Sequence, residues 1–257
     1  LFIAGQILGT SGYEEAAGAG LLAGINASLY IDNKPWFTLR RDQAYLGVMI
    51  DDLVTKGTKE PYRLLSSRSE YRLITRSDNA DERLIKLGYN LGLNSKDRYD
   101  KYLKRMDELK VAEHALDTIY VGLNEKTPKY LESVGETKPI GSTSYKELLK
   151  RPKVTYEGLQ QCEPKLPVLS SDLGVKIETN VKYKGYIDLE EKDVEKMQAM
   201  ESLILPQDLD YSKVEGISLE AREKLNKIKP KTIGEASRIT NVHPADIDRL
   251  LFLIRKK

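Results

Sequence analysis

Residues 1–30 read LFIAGQILGTSGYEEAAGAGLLAGINASLY. The apolar run Leu1 to Ala4, stopped by Gly5, reads as a short buried strand. Thr10 and Ser11 then offer helix N-caps, and Ser11 with Glu14 has the spacing of a capping box, so a helix is expected to about Tyr30. Ala16, Gly20, Gly24 and Ala27 recur at helical steps and leave one face of that helix nearly bare. A glycine inside a helix costs roughly 1 kcal/mol against alanine. Gly18, Gly20 and Gly24 therefore predict a backbone that something approaches closely: a sheet, another helix or a ligand. A lone apolar strand has nothing to pair with at its start, so the sequence reads as one part of a longer protein, entering inside a domain.

Outward from this βα unit the pattern becomes helical. Asp32 to Pro35 form a turn, and AYLGVMIDDLVT at 44–55 suits either strand or helix. From about Ser95 to Gly122 the residues Tyr99, Tyr102, Leu103, Met106, Leu109, Ala112, Leu116 and Ile119 hold helical spacing. Shorter helices are expected near 128–134 and 145–149, a long one over roughly 173–205 before Pro206, and three short ones at 218–228, 232–239 and 244–254. The expected class is mainly α: one βα unit followed by a helical array, with a boundary between Tyr30 and Lys59.

Bulk composition narrows the function. Apolar residues make up 40% and charged residues 31%, as in ordinary globular chains, and the net charge of +2 means that a nucleic-acid surface must come from local clustering. Cys162 is the single cysteine, which excludes an internal disulfide and suits a reducing compartment. With only His114 and His243 beside it, a Cys/His metal site is not expected. No stretch reaches membrane-span length and the start has no basic n-region, so the cytosol is expected, or a mitochondrial matrix if the source has one. Fifteen tyrosines against three phenylalanines and one tryptophan suit helix surfaces and RNA-facing surfaces equally well.

Three constellations could carry function. The first is the opening turn, where Gly5, Gly9 and Gly12 let backbone approach a ligand, a helix N-terminus follows, and Gln6 could hydrogen-bond it. It is not GxGxxG, so it is no primary dinucleotide fingerprint, and a tightly packed βα unit without ligand is the plain alternative. The second is LLSSRSEYRLITRSDNADERL at 64–84, where arginines alternate with apolar residues on a helix or a strand, either of which keeps positions four apart on one face. It is interrupted by a fresh N-cap at Ser77-Asp78-Asn79, whose helix has a C-cap at Gly88. Arg68, Arg72 and Arg76 would then form one ridge, with Lys56, Lys59 and Arg63 before it and Arg83 and Lys86 after. Guanidinium forks match phosphate oxygens and stack on bases. The alternative is a solvated face or ion pairs with Glu70, Asp78, Asp81 and Glu82.

The third is the tail, 229–257, where two short helices flank a turn at Thr240-Asn241-Val242 with the spacing of a helix-turn-helix. Asp246, Asp248 and the apolar Leu250 to Leu253 favour packing or a protein partner over reading DNA. Asp51 and Asp52 read as turn or hydrogen-bonding residues, and Cys162 as an inert thiol. No catalytic dyad emerges, so the residues point to a binding module.

The blocks AGQILGTSGYEEAAGAGLLAGINA and AYLGVMIDDLVTKGTKEPYRLLSSRSEYRLITRSDNADERL, with VKYKGYI, LPQDLDY, GISLEAREKL and IGEASRITNVHPADI, resemble the MnmG (GidA) family along essentially the whole chain. The resemblance implies the C-terminal portion of an FAD-dependent enzyme acting as a homodimer: mainly α, with a truncated βα remnant of an FAD-binding Rossmann-type domain at 1–58, a helical domain with a basic block at 59–217 and a terminal helical subdomain at 218–257. With the GTPase MnmE, such an enzyme adds a (carboxymethyl)aminomethyl group to C5 of the wobble uridine of tRNA, drawing on NADH and methylenetetrahydrofolate. It implies that Gln6 contacts FAD near the isoalloxazine end, with Gly5, Gly9, Gly12 and Tyr13 lining the same turn. Arg68, Arg72, Arg76 and Arg83, with Lys56 and Arg63, would face tRNA, and the tail from Ser218 would dock MnmE. No catalytic residue and no metal site are expected in this chain, which alone would be inactive. A folate-dependent tRNA-methylating flavoprotein shares a similar opening turn, and a non-enzymatic helical RNA- or protein-binding module is the other alternative.

Overall fold

The structure is a computed structural model that describes residues 1–58, 60–122 and 125–255. Its helices run in chain order α1 (Tyr13–Ile31), α2 (Tyr45–Thr55), α3 (Ala80–Asn90), α4 (Lys96–Thr118), α5 (Lys126–Ser133), α6 (Tyr145–Leu149), α7 (Tyr156–Cys162) and α8 (Ser171–Glu201). Then follow α9 (Leu219–Ile228), α10 (Ile233–Arg238) and α11 (Pro244–Arg255), with single 3-10 turns at Gly5–Leu8, Ser66–Arg68 and Tyr211–Lys213. Among the described residues there is no strand, only the isolated bridges Tyr120 to Ser144 and Ile204 to Thr232. The mainly α class expected from periodicity holds.

The chain divides into two compact units, one of residues 1–75 and 190–257, the other of residues 76–189, with the division falling inside α8. The 76–189 unit closes around Leu109, Ala112 and Leu116 of α4, Leu131 of α5, Leu148 and Leu149 of α6, Leu159 of α7 and Ile177 of α8. Serine and threonine caps start α4, α6 and α7: the Ser95, Ser144 and Thr155 hydroxyls accept from the amides of Arg98, Glu147 and Gly158. The other unit contains two apolar centres. Leu205, Tyr211, Ile217, Leu225, Ile233 and Leu250 close the tail, while Ala19, Met49 and Tyr62 tie α1 to α2.

The structure corrects four local expectations. Leu1 to Ala4 form no strand, and Phe2 and Ile3 stand 37% and 40% exposed, because within this chain nothing offers their backbone a ladder. The capping box at Ser11 is not made: α1 starts one residue later, its N-cap is Gly12, and no side chain caps it. Gly88 is not a C-cap, since α3 runs on to Asn90 and the left-handed residue is Gly92 at φ 77°.

The fourth correction is the arginine ridge. Residues 69–79 are turns, not helix, so Arg68, Arg72 and Arg76 share no helical face. The cause is competition for the backbone. The Leu73 and Ile74 amides donate to the Glu190 carboxylate at 3.0 and 3.1 Å, so two groups that a helix would pair internally are satisfied from outside. A single helix-type turn remains, with the Thr75 amide and hydroxyl both donating to the Tyr71 carbonyl, at 2.9 and 2.6 Å.

Candidate nucleic-acid interface

The opening turn is shaped by two left-handed glycines, Gly5 at φ 79° and Gly9 at φ 76°. The Gly9 amide donates to the Gln6 carbonyl at 2.9 Å, and the buried Thr10 hydroxyl donates to the Gly5 carbonyl at 2.9 Å. This leaves Gln6, Ile7 and Tyr13 exposed. At Gly12 a Cβ would push aside the Glu15 carboxylate and the Arg63 guanidinium, so the absence of a side chain there lets both pack against the turn. Glu14 and Glu15 occupy the first turn of α1 and oppose any anion at its N-terminus. The turn thus suits a polar, uncharged ring edge better than a phosphate. The close approach expected along the bare face of α1 occurs at Gly18, against Leu46, whereas Gly20 and Gly24 face open space.

Segment 60–75 runs beside this turn and is fastened to it. The Tyr62 amide donates to the Gly9 carbonyl at 2.8 Å and the Leu64 amide to the Glu15 carboxylate at 2.8 Å. Arg63 lies 3.8 Å from the same carboxylate with its side chain 58% exposed. Arg68 donates through Nε to the Arg63 carbonyl at 2.8 Å, lies 4.5 Å over the Tyr62 ring, and remains 40% exposed. Arg72 is exposed and has no ion pair or hydrogen bond among the described residues. Lys56 pairs with Asp52 at 2.8 Å, and Lys59 lies outside the described residues.

Arg76 and Arg83 belong to the other unit and are engaged locally. Arg76 pairs with Asp78 at 3.0 Å and donates to the Asn180 side chain at 3.1 Å. Arg83 donates to the Arg76 carbonyl at 2.8 Å, and burial lowers its pKa. For Arg76 the plain ion-pair alternative describes the geometry.

Beneath the exposed arginines is an ionic cluster that sequence reading missed. Arg41, 3% exposed, donates to Asp51 at 2.9 Å, to Asp52 at 2.8 Å and to Glu70 at 2.8 Å. Asp52 also accepts the Tyr62 hydroxyl at 2.9 Å. Burial lowers the Arg41 pKa, the carboxylates of Glu70 and Asp52 raise it, and the net direction is up. Burial likewise pushes Asp52 up, and Lys56, Arg41 and Tyr62 together carry it below the usual carboxylate range. Arg238 of α10 extends the cluster, bonding Asp51 at 2.8 Å and Glu201 at 2.5 Å. The signal in the sequence was the acidic pair inside an apolar helix, because a carboxylate buried there requires a cation. The nature of that cation, about ten residues upstream, was not legible.

In the tail, Asp246 is 4% exposed and accepts the Ser218 amide at 2.7 Å and the His243 amide at 2.9 Å. Burial raises its pKa, and the two amides outweigh that and leave it lowered. Ile247 and Leu250 are buried in the tail core while Phe252 is 57% exposed. Thus the helix-turn-helix spacing produces a packed bundle. Cys162 is 8% exposed, and burial raises its thiol pKa. No group of acidic, histidine or cysteine side chains suited to a metal exists among the described residues, and no helix is long and apolar enough to cross a membrane.

Three sequence families match. Residues 96–191 match "tRNA modifying enzyme MnmG/GidA C-terminal helical domain", residues 193–257 the "C-terminal helical bundle" of the same enzyme, and residues 1–35 "Glucose inhibited division protein A". A Clostridium kluyveri protein named tRNA uridine 5-carboxymethylaminomethyl modification enzyme MnmG is 46% identical over 257 residues. Its namesake from Caldicellulosiruptor saccharolyticus is 45% identical over 256. Each alignment covers 100% of this chain and 41% of the relative, so the chain spans about two fifths of their length. The solved structure of Aquifex aeolicus GidA in its form II crystal superposes with a TM-score of 0.78 at 42% identity, covering 98% of this chain and 39% of that one.

Proposed function

The chain belongs to the MnmG/GidA family, as a C-terminal portion, and on that premise we propose that it serves an FAD-dependent enzyme that modifies the wobble uridine of tRNA. In this reading the whole protein works as a cytoplasmic homodimer with the GTPase MnmE. It adds a (carboxymethyl)aminomethyl group at C5, using NADH and methylenetetrahydrofolate. This portion grips the tRNA and the partner, and the reacting groups belong to the rest of the enzyme.

The observation that carries the RNA reading is the set Arg63, Arg68 and Arg72: exposed guanidinium groups on a segment fastened to the opening turn through Glu15 and Gly9. Guanidinium groups held on a rigid base bind phosphates without first losing side-chain and loop freedom. Lys56 adds charge beside them, and Arg76 and Arg83 would contribute after leaving their present partners. Terminal helices α9 to α11 offer the partner surface, with Phe252 exposed on the last of them. Gln6, with the backbone of Gly5 and Gly9, fits one edge of a flavin ring, and Gly12 and Tyr13 bound the same turn. FAD, when bound, supplies the electron transfer of the whole enzyme. This chain's residues contribute the ring edge and a fixed path from that edge to the arginines.

The test is restoration of the modified nucleoside. Cells lacking the enzyme receive the full-length protein containing this portion, either native or with Arg63, Arg68 and Arg72 changed to glutamine, and tRNA nucleosides are measured by mass spectrometry. The native protein restores the modification and the variant restores far less. A native protein that leaves the wobble uridine unmodified would return the chain to the non-enzymatic alternative.

A further inference from the structure

We propose that Tyr89, Tyr99 and Tyr102 form a stacking platform for unpaired nucleobases of the bound RNA. This surface lies in the 76–189 unit, is separate from the arginine segment, and rests on the RNA reading above. Tyr89 at the end of α3 and Tyr99 at the start of α4 stack with ring centroids 4.7 Å apart and planes within 8°. Tyr102, one turn further along α4, continues the stack at 6.3 Å and 24°. All three rings are partly exposed.

Their hydroxyls set them apart from the core tyrosines. The fully buried Tyr145 and Tyr156 have hydroxyl partners, the Thr127 side chain at 2.9 Å and the Pro167 carbonyl at 2.8 Å. None of the three stacked hydroxyls has a partner among the described residues, and none is a buried orphan, so each meets solvent. The rings cover one another's inner faces, so a base stacks on an outer face of the row, at Tyr89 or Tyr102, whatever its sequence.

Charge identifies the occupant. Lys86, Lys96 and Arg98 stand one helical turn before Tyr89, Tyr99 and Tyr102 respectively, and each is exposed without an ion pair among the described residues. The carboxylates Asp81 and Glu82 are already held by Lys176, at 3.1 and 2.7 Å. Each tyrosine therefore has an exposed cation one helical turn before it; Asp97 is held by Lys101 at 2.9 Å, which leaves Asp100 as the carboxylate between the rings. A ring face for the base with cations within a turn of it fits single-stranded RNA.

Salt titration of tRNA binding to the full-length protein tests this, with an unmodified tRNA transcript as probe. The pair Tyr89→Leu and Tyr99→Leu should weaken binding about tenfold without changing the slope against salt, because stacking releases no counterions. Tyr89→Phe with Tyr99→Phe should retain affinity. Neutralising Arg63, Arg68 and Arg72 should instead flatten the slope. The platform is overturned if the leucine pair melts like the native protein and binds tRNA equally well while the arginine variant binds worse. It is also overturned if the leucine pair loses only a protein partner. Should the pair fail to fold, Tyr102→Leu at the end of the stack carries the same test. If the arginine variant too leaves affinity and slope unchanged, it is the RNA reading of that segment that falls.

Discussion

Glu15, in the first turn of α1, accepts the amide N–H of Leu64 at 2.8 Å across a sequence separation of 49 residues, which joins the opening turn to the basic segment. The carboxylate is 5% exposed. The Leu64 amide, then its own amide, hold it below the ordinary 4.5; burial opposes them and Arg63 assists. A folded-state pKa below the unfolded value means that the contribution is full above about 4.5 and is lost as pH falls through the lowered value. Glu15→Gln should therefore cost about 1 kcal/mol at neutral pH, since the amide oxygen keeps the hydrogen bond without its charge. Urea unfolding of both proteins from pH 7 downward should show the difference shrinking in the acid range. A difference independent of pH would refute it.

Arg41 is the buried cation shared by buried Asp52 and half-buried Asp51, which are also paired with Lys56 and Arg238 respectively. Arg41→Met should destabilise the protein by about 3 kcal/mol, because Asp52 would stay buried with part of its charge uncompensated. Arg41→Lys should recover little, since a lysine cannot fork to Asp52 and Glu70 together. Equilibrium denaturation measures both, and a lysine variant of native stability would show that charge alone suffices.

The arginines should separate by exposure. Replacing Arg63, Arg68 and Arg72 with glutamine should lower the salt slope of tRNA binding by about 0.9 for each duplex phosphate left unneutralised, with a modest fall in melting temperature from the lost contacts of Arg68 to the Arg63 carbonyl and Asp52. Arg76→Gln should reverse this pattern. Its side chain is 14% exposed and held by Asp78 and Asn180, so stability falls and the slope stays. Equal slopes in all four variants would put the RNA surface elsewhere.

Asp246 secures the start of α11 to the start of α9 through the His243 and Ser218 amides. Asp246→Ala should cost about 1–3 kcal/mol and speed amide hydrogen exchange across 205–255 ahead of the rest of the chain. Uniform exchange in native and variant proteins would argue against that link. Because the folded pKa is lowered, this contribution is present above the ordinary carboxylate pKa and disappears on acidification through the folded value.

Cys162 should react slowly with thiol reagents until the protein unfolds, because burial both shields the sulfur and disfavours its thiolate. Reaction with the folded protein at the rate of a free thiol would contradict this.

Periodicity by itself placed several helices. α4, α6, α9 and α10 fall where apolar spacing and serine or threonine caps place them, and α11 starts at Pro244 as its spacing indicates, since these signals are local and survive in any surroundings. The family was equally readable from its residue blocks. Tertiary structure decided what the arginines do. Leu73 and Ile74 gave their amides to Glu190, more than a hundred residues away, and with that the expected helix became turns and the ridge dispersed. It also decided that Asp51 and Asp52 would meet Arg41 and Arg238, partners on both sides in sequence. Local propensity counts neighbours within a turn. The pairing of a buried charge or a spare amide is settled by whichever distant group the folded chain brings within hydrogen-bond reach.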